Sequence, residues 1–368
     1  MNYLTPIIHM TDNCNMACKY CYAGSAYKSF PDIEKLNEEF SLRIPLLFKF
    51  IDQVMRYNKF TPTAFFFHGG EPLLINIENW ERILNYFKEK NYLIEPKVQT
   101  NGTLINNNFI RLFKKFKVKV GISLDGPGLI NDQNRVLKNG KGSFSLIFRN
   151  LKKLRKAGIH FGCLVTLSRS NINNVDIIYK FFKKYKIPFN IRPISQTKYS
   201  LSRDLLISPL EYATAFCKLF DIWFEDTETK AYLISDFANL IARFIKPLEK
   251  LTICSFMKNC SNRFVSFDMN GNLWHCARLR NIPDFLYGNI KKDDLVSLLN
   301  TPKAKQFLKR WKILSRKDCK NCEVSHYCFG GCPGRALYYY GNYFKKDYYC
   351  AAFKIILKHV YERVQATL

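Results

Sequence analysis

Six short apolar runs alternate with amphipathic stretches over the first 195 residues, and this alternation constrains the fold more than any other feature. The predicted strands are residues 3–9, 63–67, 97–100, 117–124, 160–166 and 188–194. Between them, stretches such as 144–157 and 175–185 space their apolar residues three or four apart, as helices do. Alternating strands and helices form βαβ units around a parallel sheet. We therefore predict an α/β chain with a partial (β/α)6 barrel of the TIM type.

Polar motifs lie at or just after the ends of four of these predicted strands. They are Cys14-x3-Cys18-x2-Cys21, Gly69-Gly70-Glu71, Gln99-Thr100-Asn101-Gly102 and Ser123-Leu124-Asp125. In parallel α/β folds the functional loops lie at the carboxyl ends of the strands. The sequence therefore predicts that these motifs belong to one site.

The number of cysteines, thirteen, indicates metal binding. The first ten residues contain the first predicted strand and lack the charged-then-apolar pattern of a signal peptide, and no apolar run reaches about 18 residues. We therefore expect a cytoplasmic protein without membrane contact, in which thiols stay reduced and bind metals. Cys163 and Cys217 have no cysteine close by in sequence and are interpreted as packing residues.

Three thiolates on one short loop can hold three irons of a [4Fe-4S] cube. A ferredoxin cluster has four cysteine ligands, so a three-cysteine loop leaves one iron open to a small molecule. Taken alone, the Cys14, Cys18 and Cys21 triplet also permits a zinc knuckle or an incidental cluster.

The Cys-x3-Cys-x2-Cys loop resembles that of the radical S-adenosylmethionine (SAM) enzymes. The resemblance implies that the open iron binds the amino and carboxylate groups of SAM. One electron from a low-potential donor such as flavodoxin or ferredoxin then cleaves SAM to a 5′-deoxyadenosyl radical, which abstracts hydrogen. It also implies a set of SAM contacts, namely Tyr20, Gly69, Gly70, Glu71, Asn101, Ser123, Asp125 and Arg135.

A second group of cysteines occupies the C-terminal third, where residues 264–268 and 273–276 predict a hairpin. From Cys260 onward the pattern resembles the SPASM domain of peptide and protein maturases. With Cys254 it is similar to anaerobic sulfatase-maturating enzymes along nearly the whole chain. The resemblance implies two auxiliary [4Fe-4S] clusters, and hence three in all. Their ligands would be Cys254, Cys260, Cys276 and Cys332 for the first, and Cys319, Cys322, Cys328 and Cys350 for the second. Two four-cysteine zinc sites would explain the same count.

Two positions depart from the sulfatase maturases. Ala277 stands where those enzymes have an aspartate proposed as a base, and His68 replaces a glutamine. Alanine cannot accept a proton, so the general base is not identifiable. We therefore predict a radical SAM oxidoreductase that modifies a ribosomally made precursor peptide, with formylglycine formation on sulfatases as the alternative. Arg278 and Arg280 are candidate substrate contacts, or a solvated pair beside a cluster.

The formal net charge of +27 leaves three interpretations open. Biased composition explains it best, an acidic peptide or protein partner is the second, and nucleic acid is the third. Because the basic residues form no single stripe, we do not expect nucleic-acid binding.

The predicted domains are a radical SAM barrel over 1–195, a helical bridge over 196–253, the SPASM domain over 254–350 and a C-terminal helix over 351–368.

Overall fold

The computed structural model describes residues 3–24, 28–197, 203–228, 233–245 and 253–367. The strands are β1 Thr5–His9, β2 Thr63–His68, β3 Ile94–Thr100, β4 Lys119–Ser123, β5 Phe161–Leu167, β6 Phe189–Pro193, β7 Phe264–Asp268, β8 Asn272–Trp274 and β9 Leu286–Asn289. The helices are α1 Ile33–Tyr57, α2 Ile77–Glu89, α3 Asn107–Lys115, α4 Leu129–Asp132, α5 Phe144–Lys156, α6 Val175–Lys184, α7 Pro209–Glu225, α8 Ser235–Ile245, α9 Leu295–Leu299, α10 Pro302–Leu308, α11 Arg310–Leu314, α12 Ser325–Cys328, α13 Pro333–Tyr340 and α14 Cys350–Gln365.

The described residues form two compact units. The first draws on Met1–Ser123, Arg135–Phe161 and Ser261–Leu308. The second draws on Leu124–Asn134, Gly162–Cys260 and Lys309–Leu368. Each unit is described separately below, and the four predicted domain limits stay predictions.

The first unit contains a sheet with the strand order β4-β3-β2-β1-β7-β8-β9. Strands β1 to β4 pair in parallel with their neighbours. The predicted hairpin is confirmed as β7 and β8, which pair antiparallel. The sequence did not predict that β7 lies parallel to β1, with Thr5 opposite Phe264, or that β9 extends the sheet.

Aromatic side chains fill the core of the first unit. Phe65 and Phe67 alternate along β2 and are fully buried, because side chains two apart on a strand share a face. Phe65 packs against Phe87 with ring centroids 4.9 Å apart, and Phe67 meets Trp80 edge-on at 5.0 Å. Such pairs add about 0.5–1.5 kcal/mol each beyond the area they bury. They fix α2 on the sheet and thereby position the end of β2.

The second unit combines a parallel strand pair with a helical layer. Strands β5 and β6 pair in parallel. Helix α7 begins at Pro209 with a capping box, in which Ser208 and Glu211 satisfy each other's backbone N–H groups. On its buried face Trp223 packs edge-on against Phe237 at 5.3 Å. The predicted C-terminal helix is observed as α14.

The predicted α/β class is confirmed, and all six predicted strands are observed. The largest difference between a predicted and an observed strand is in β3, which was predicted over 97–100 and begins at Ile94. Glu95 and Pro96 are residue types that strands disfavour, but both pair in register with β2. Over the described residues, no helix is both long enough and apolar enough to cross a bilayer.

Candidate active site and iron-sulfur ligands

The loop after β1 presents three partly buried thiols, those of Cys14, Cys18 and Cys21. The Cys21 N–H donates to the Cys18 carbonyl at 3.1 Å, which folds the loop back on itself. The Ala17 N–H donates to the Val136 carbonyl at 2.8 Å and fixes the loop to a second segment of the same unit. Burial raises the pKa of the Cys14 thiol, and the Glu71 carboxylate and the Cys18 and Cys21 thiols raise it further. Stable thiolates at this position require a compensating positive charge such as bound metal.

A glycine pair at the end of β2 lies directly against the segment that precedes this loop. Gly69 has a φ of +143°, and an added Cβ would lie 2.5 Å from the Thr11 carbonyl oxygen. The Gly70 N–H donates to that same oxygen at 2.7 Å, and the Glu71 N–H donates to the Asn13 carbonyl at 2.8 Å. Only glycine allows this close approach of two backbones. The pair thereby brings the ends of β1 and β2 together.

The Glu71 carboxylate joins the ends of β2 and β3. It is fully buried and accepts hydrogen bonds from the Thr100 hydroxyl at 2.7 Å, the Asn101 N–H at 2.8 Å and the Leu73 N–H at 3.0 Å. Burial raises the pKa of Glu71 to about 7, although the donors from Asn101 and Thr100 oppose this. The hydrogen bonds that the structure shows for the Glu71 carboxylate all come from other residues of the protein, at the ends of β2 and β3.

Asn101, at the end of β3, reaches the cysteine loop itself. Its side-chain amide donates to Asn15 Oδ1 at 2.9 Å and lies 3.7 Å from Cys14 Sγ. The side-chain oxygen Oδ1 of Asn101 accepts the Thr103 N–H at 2.9 Å. The side chain is 8% exposed and is held from both sides. The third strand end is thus in direct contact with a proposed cluster ligand.

Ser123 ends the fourth strand, and Asp125 follows two residues later. The Ser123 hydroxyl accepts a hydrogen bond from Gln99 Nε2 at 3.0 Å, so the ends of β3 and β4 are connected. Asp125 belongs to the second unit, where its buried carboxylate accepts the Thr166 N–H at 2.9 Å. This contact fixes the loop that follows Ser123.

Tyr20 and Arg135, predicted from separate motifs, meet in the structure. The guanidinium carbon of Arg135 lies 5.3 Å from the centre of the Tyr20 ring, and Arg135 is 7% exposed. Such a cation–π contact contributes about 0.5–2 kcal/mol, with the larger value for desolvated pairs. It holds the planar donor group beside the cysteine loop.

A polar group that the sequence reasoning missed lies between β1 and the loop. Asp12 pairs with Arg280 and accepts a hydrogen bond from His9 Nε2 at 2.7 Å. Burial raises the pKa of Asp12, but the His9 hydrogen bond and the Arg280 charge outweigh it and hold that pKa well below its usual range. The only signal in the sequence was a carboxylate placed two residues before Cys14.

His68 contacts Tyr22, the residue that follows the third cysteine of the loop. His68 Nδ1 accepts the Gly69 N–H at 2.7 Å, which assigns the proton of the neutral ring to Nε2. The Tyr22 hydroxyl lies 3.4 Å from Nε2. Burial, together with the His9 charge, lowers the pKa of His68 to about 4, so the imidazole is neutral near pH 7. The pair offers hydrogen bonds without net charge.

Ala277 follows Cys276 and opens the short helical turn Ala277–Leu279. Arg280, just after the turn, binds Asp12, so this segment lies at the same edge of the sheet as the loop after β1. Tyr22 lies within electrostatic range of Cys276 and Arg278, although burial is the main cause that raises its pKa. The methyl group of Ala277 supplies neither a donor nor an acceptor to this edge.

Four cysteines of the second unit form a neighbouring set. Burial raises the pKa of Cys319 to about 11, and the thiols of Cys350 and Cys322 raise it further. Burial likewise raises the pKa of Cys328 to about 12, with contributions from the same neighbours. The Cys322 N–H also donates to the Cys319 carbonyl at 3.3 Å. Of the other proposed auxiliary ligands, Cys254, Cys260 and Cys332 lie in the second unit and Cys276 in the first.

Single-ion sites and iron-sulfur cubes place different demands on the spacing of their thiolate ligands. In the described part of the chain, no group of three or more histidine, cysteine, aspartate or glutamate side chains converges so as to hold a single ion. A zinc ion requires four ligands at about 2.0–2.3 Å from one centre. A [4Fe-4S] cube instead takes each thiolate on a different iron, so its ligands stand farther apart. Sets of three and four thiolates are ligand sets that [4Fe-4S] cubes take, and a set of four thiolates can also bind zinc.

Comparison with known proteins identifies the two parts of the chain. Residues 8–182 match the radical SAM superfamily, and residues 254–323 match SPASM, an iron-sulfur cluster-binding domain. The chain carries a radical SAM domain and a SPASM domain. The resemblance seen in the sequence is therefore confirmed, as is the expectation of an enzyme. These domains imply [4Fe-4S] clusters and SAM.

Individual relatives are similar to this chain over nearly its whole length, including the radical SAM and SPASM domains. A cysteine-type anaerobic sulfatase-maturating enzyme of Clostridium novyi is 29% identical over 353 residues, which are 94% of this chain and 91% of that protein. A structure of anSMEcpe with bound AdoMet and the Cp18Cys peptide superposes with a TM-score of 0.84 at 24% identity, covering 99% of this chain and 98% of that one. Streptococcus suis SuiB bound to its precursor peptide SuiA gives 0.64 at 14% identity, covering 94% and 75%. The two structural matches establish the fold.

Proposed function

We propose that this protein abstracts hydrogen from a side chain of a ribosomally made precursor peptide, using the 5′-deoxyadenosyl radical that SAM supplies when it is cleaved by one electron. The product would carry a crosslink or another oxidative modification. SuiB, which shares the fold, was solved with a precursor peptide. A low-potential carrier such as flavodoxin or ferredoxin would deliver the electron.

The observation that carries this proposal is the alanine at position 277. Formylglycine formation needs a proton acceptor at the oxidised side chain, and general-base help contributes roughly 10² to 10⁴ in rate. Ala277 provides none, and the carboxylate of Asp12 at the same sheet edge is already bound by Arg280 and His9. Among the described residues, the neutral His68 lies beside the Tyr22 hydroxyl, and the Arg278 charge acts on Tyr22 as well. These suit binding of a peptide better than removal of a proton.

In this proposal the strand ends hold the cofactors. Cys14, Cys18 and Cys21 would ligate the SAM cluster, whose fourth iron stays open to SAM. The proposed SAM contacts are Tyr20, Gly69, Gly70, Glu71, Asn101, Ser123, Asp125 and Arg135. Cys254, Cys260, Cys276 and Cys332 would ligate the first auxiliary cluster, and Cys319, Cys322, Cys328 and Cys350 the second. Arg278 is a proposed substrate contact, whereas the observed role of Arg280 is its ion pair with Asp12.

Anaerobic sulfatase maturation is the second candidate. It is favoured by the C. novyi enzyme, which matches 94% of the chain at 29% identity. On this alternative a Cys or Ser side chain of a sulfatase would become formylglycine, and a group other than residue 277 would accept the proton. The two candidates share the same radical chemistry and differ in substrate and in the proton acceptor.

Mass spectrometry of two peptides separates these candidates. With SAM and a low-potential reductant, a sulfatase-type Cys-x-Pro-x-Arg peptide should yield little aldehyde, and 5′-deoxyadenosine should form slowly or uncoupled. A precursor peptide encoded beside the gene should instead lose two hydrogens per crosslink, with 5′-deoxyadenosine formed in step. Ala277→Asp provides the matched variant and should raise the aldehyde yield by restoring a carboxylate. Efficient formylglycine formation by the unaltered protein would contradict the proposal.

A further inference from the structure

Three charged side chains are buried together among the cysteines of the second unit. Arg310, Arg335 and Asp347 are 7%, 3% and 0% exposed. Two guanidinium groups and one carboxylate leave an excess of one positive charge inside the protein. Because a buried charge is costly unless it is paired, this group requires further negative charge nearby.

Arg335 and Asp347, two of these three side chains, form an ion pair with each other. Arg335 Nε donates to Asp347 Oδ1 at 2.8 Å, and Nη2 donates to Oδ2 at 2.6 Å. This two-point geometry is the strongest that an arginine and a carboxylate can form. Nη2 also donates to the Ser255 hydroxyl at 3.0 Å, next to Cys254. The ion pair therefore reaches the segment of one proposed cluster ligand.

Asp347 contacts the backbone of two more proposed ligands. Its Oδ2 accepts the Cys332 N–H at 2.6 Å, and its backbone carbonyl accepts the Cys350 N–H at 3.0 Å. Cys332 is assigned to the first auxiliary cluster and Cys350 to the second. Gly331, with a φ of +70°, allows the approach, since a Cβ there would lie 2.4 Å from Asp347 Cβ. Asp347 thus holds a ligand of the first set through its carboxylate and a ligand of the second set through its backbone carbonyl.

Arg310, the third charged side chain of this group, has no acidic partner among the described residues. Its four hydrogen bonds end on the carbonyl oxygens of Gly330 at 3.0 Å, Gly331 at 2.8 Å, Tyr343 at 2.7 Å and Lys345 at 2.8 Å. In the part of the chain that the structure describes, no carboxylate oxygen lies within ion-pair distance of it. The two glycines connect the ligands Cys328 and Cys332.

The charges that face Arg310 come from proposed cluster ligands. Burial lowers the pKa of Arg310, and the sulfurs of Cys260, Cys332 and Cys319, together with Asp347, act in the opposite direction. A cube with four thiolates carries net negative charge, and it becomes more negative on reduction. A fixed cation beside it therefore favours the reduced form.

We infer that Arg310, held beside the Arg335–Asp347 pair, is the buried counter-charge of the auxiliary clusters and raises their reduction potential. This inference rests on the proposed cluster assignment. If the auxiliary clusters accept the surplus electron left after hydrogen abstraction, a higher potential favours that transfer. Arg310 and Asp347 are positioning residues in this account, since neither touches substrate.

The test is a potentiometric titration of the auxiliary clusters in the full-length reconstituted protein. Replacing Cys14, Cys18 and Cys21 with alanine leaves only the auxiliary clusters visible by electron paramagnetic resonance. In that background Arg310→Gln should shift the reduction equilibrium of an auxiliary cluster at least tenfold toward the oxidised form, which is 59 mV for one electron. Arg310→Lys keeps the charge and should stay within threefold of the parent.

Lys312→Gln is the matched control, because it removes a positive charge from the exposed side of the same helix. Solvent and salt screen that charge, so the potential should not move. Equal potentials in Arg310→Gln and Lys312→Gln, with about eight irons bound in each, would overturn the inference. If neither Arg310 variant assembles its clusters, the titration is carried out on the Asp347→Asn variant instead. That variant should raise the potential, and an unchanged value would overturn the inference equally.

These outcomes are independent of the substrate. The titration uses neither peptide nor SAM turnover, so formylglycine formation would overturn the proposed function and leave the inference intact. Zinc in place of auxiliary iron in the unaltered protein would overturn the inference together with the cluster assignment.

Discussion

Replacing Cys14, Cys18 and Cys21 with alanine is expected to abolish SAM cleavage completely and to remove about four irons per chain. A cube needs thiolate ligands, and this loop supplies all three of those proposed for the SAM cluster. The loop is fixed by the Ala17 to Val136 backbone hydrogen bond as well as by its thiols, so the fold should survive. Iron analysis and chromatography of 5′-deoxyadenosine measure the two effects.

Cys217→Ala is the matched control for this experiment. Cys217 is a partly buried thiol on α7, in the second unit and outside the three proposed ligand sets. Its loss should leave the iron content and the rate of 5′-deoxyadenosine formation at the level of the unaltered protein. Residual SAM cleavage in the triple variant would contradict the assignment of the loop.

Arg135→Ala should weaken SAM binding roughly ten- to hundredfold while leaving the iron content intact. The proposed contact joins a guanidinium to the SAM carboxylate, and loss of a charge-assisted hydrogen bond costs about 1.5–3 kcal/mol. Ser123→Ala should weaken binding less, since a neutral hydrogen bond contributes about 0.5–1.5 kcal/mol. Equilibrium binding of SAM to the anaerobic, reconstituted protein measures both.

Arg149→Ala is the matched control for the loss of an arginine in the same unit, because Arg149 is exposed on α5. It should bind SAM as the unaltered protein does. Arg135→Lys separates charge from shape, and it should recover only part of the affinity because an ammonium cannot reproduce the planar fork. Unchanged affinity in both Arg135→Ala and Ser123→Ala would show that the strand-end assignments are wrong.

Local patterns were sufficient to predict the strands and the motifs at their ends. Phe65 and Phe67 show the alternation of a strand with a buried face, and Gly69 follows where two backbones approach closely. The spacing of Cys14, Cys18 and Cys21 is itself local. The contact between Arg135 and Tyr20 agrees with their predicted presence in one site, although the role of each stays a prediction.

Contacts between distant segments could not be predicted in this way. Asp12 and Arg280 are 268 positions apart, and their ion pair depends on the parallel pairing of β1 with β7. Nothing near either residue in sequence specifies that pairing. The same holds for Asp347, whose importance emerges only when the fold brings it to Arg335 and to the Cys332 N–H. Sequence periodicity reports which face a residue occupies, whereas these contacts depend on which elements meet.

The metal content of the unaltered protein tests the account most directly. One set of three cysteines and two sets of four predict about twelve irons and twelve sulfides per chain after anaerobic reconstitution, without zinc. Elemental analysis together with sulfide determination gives the number. About twelve irons would support three [4Fe-4S] clusters, and about four irons with two zincs would contradict the account.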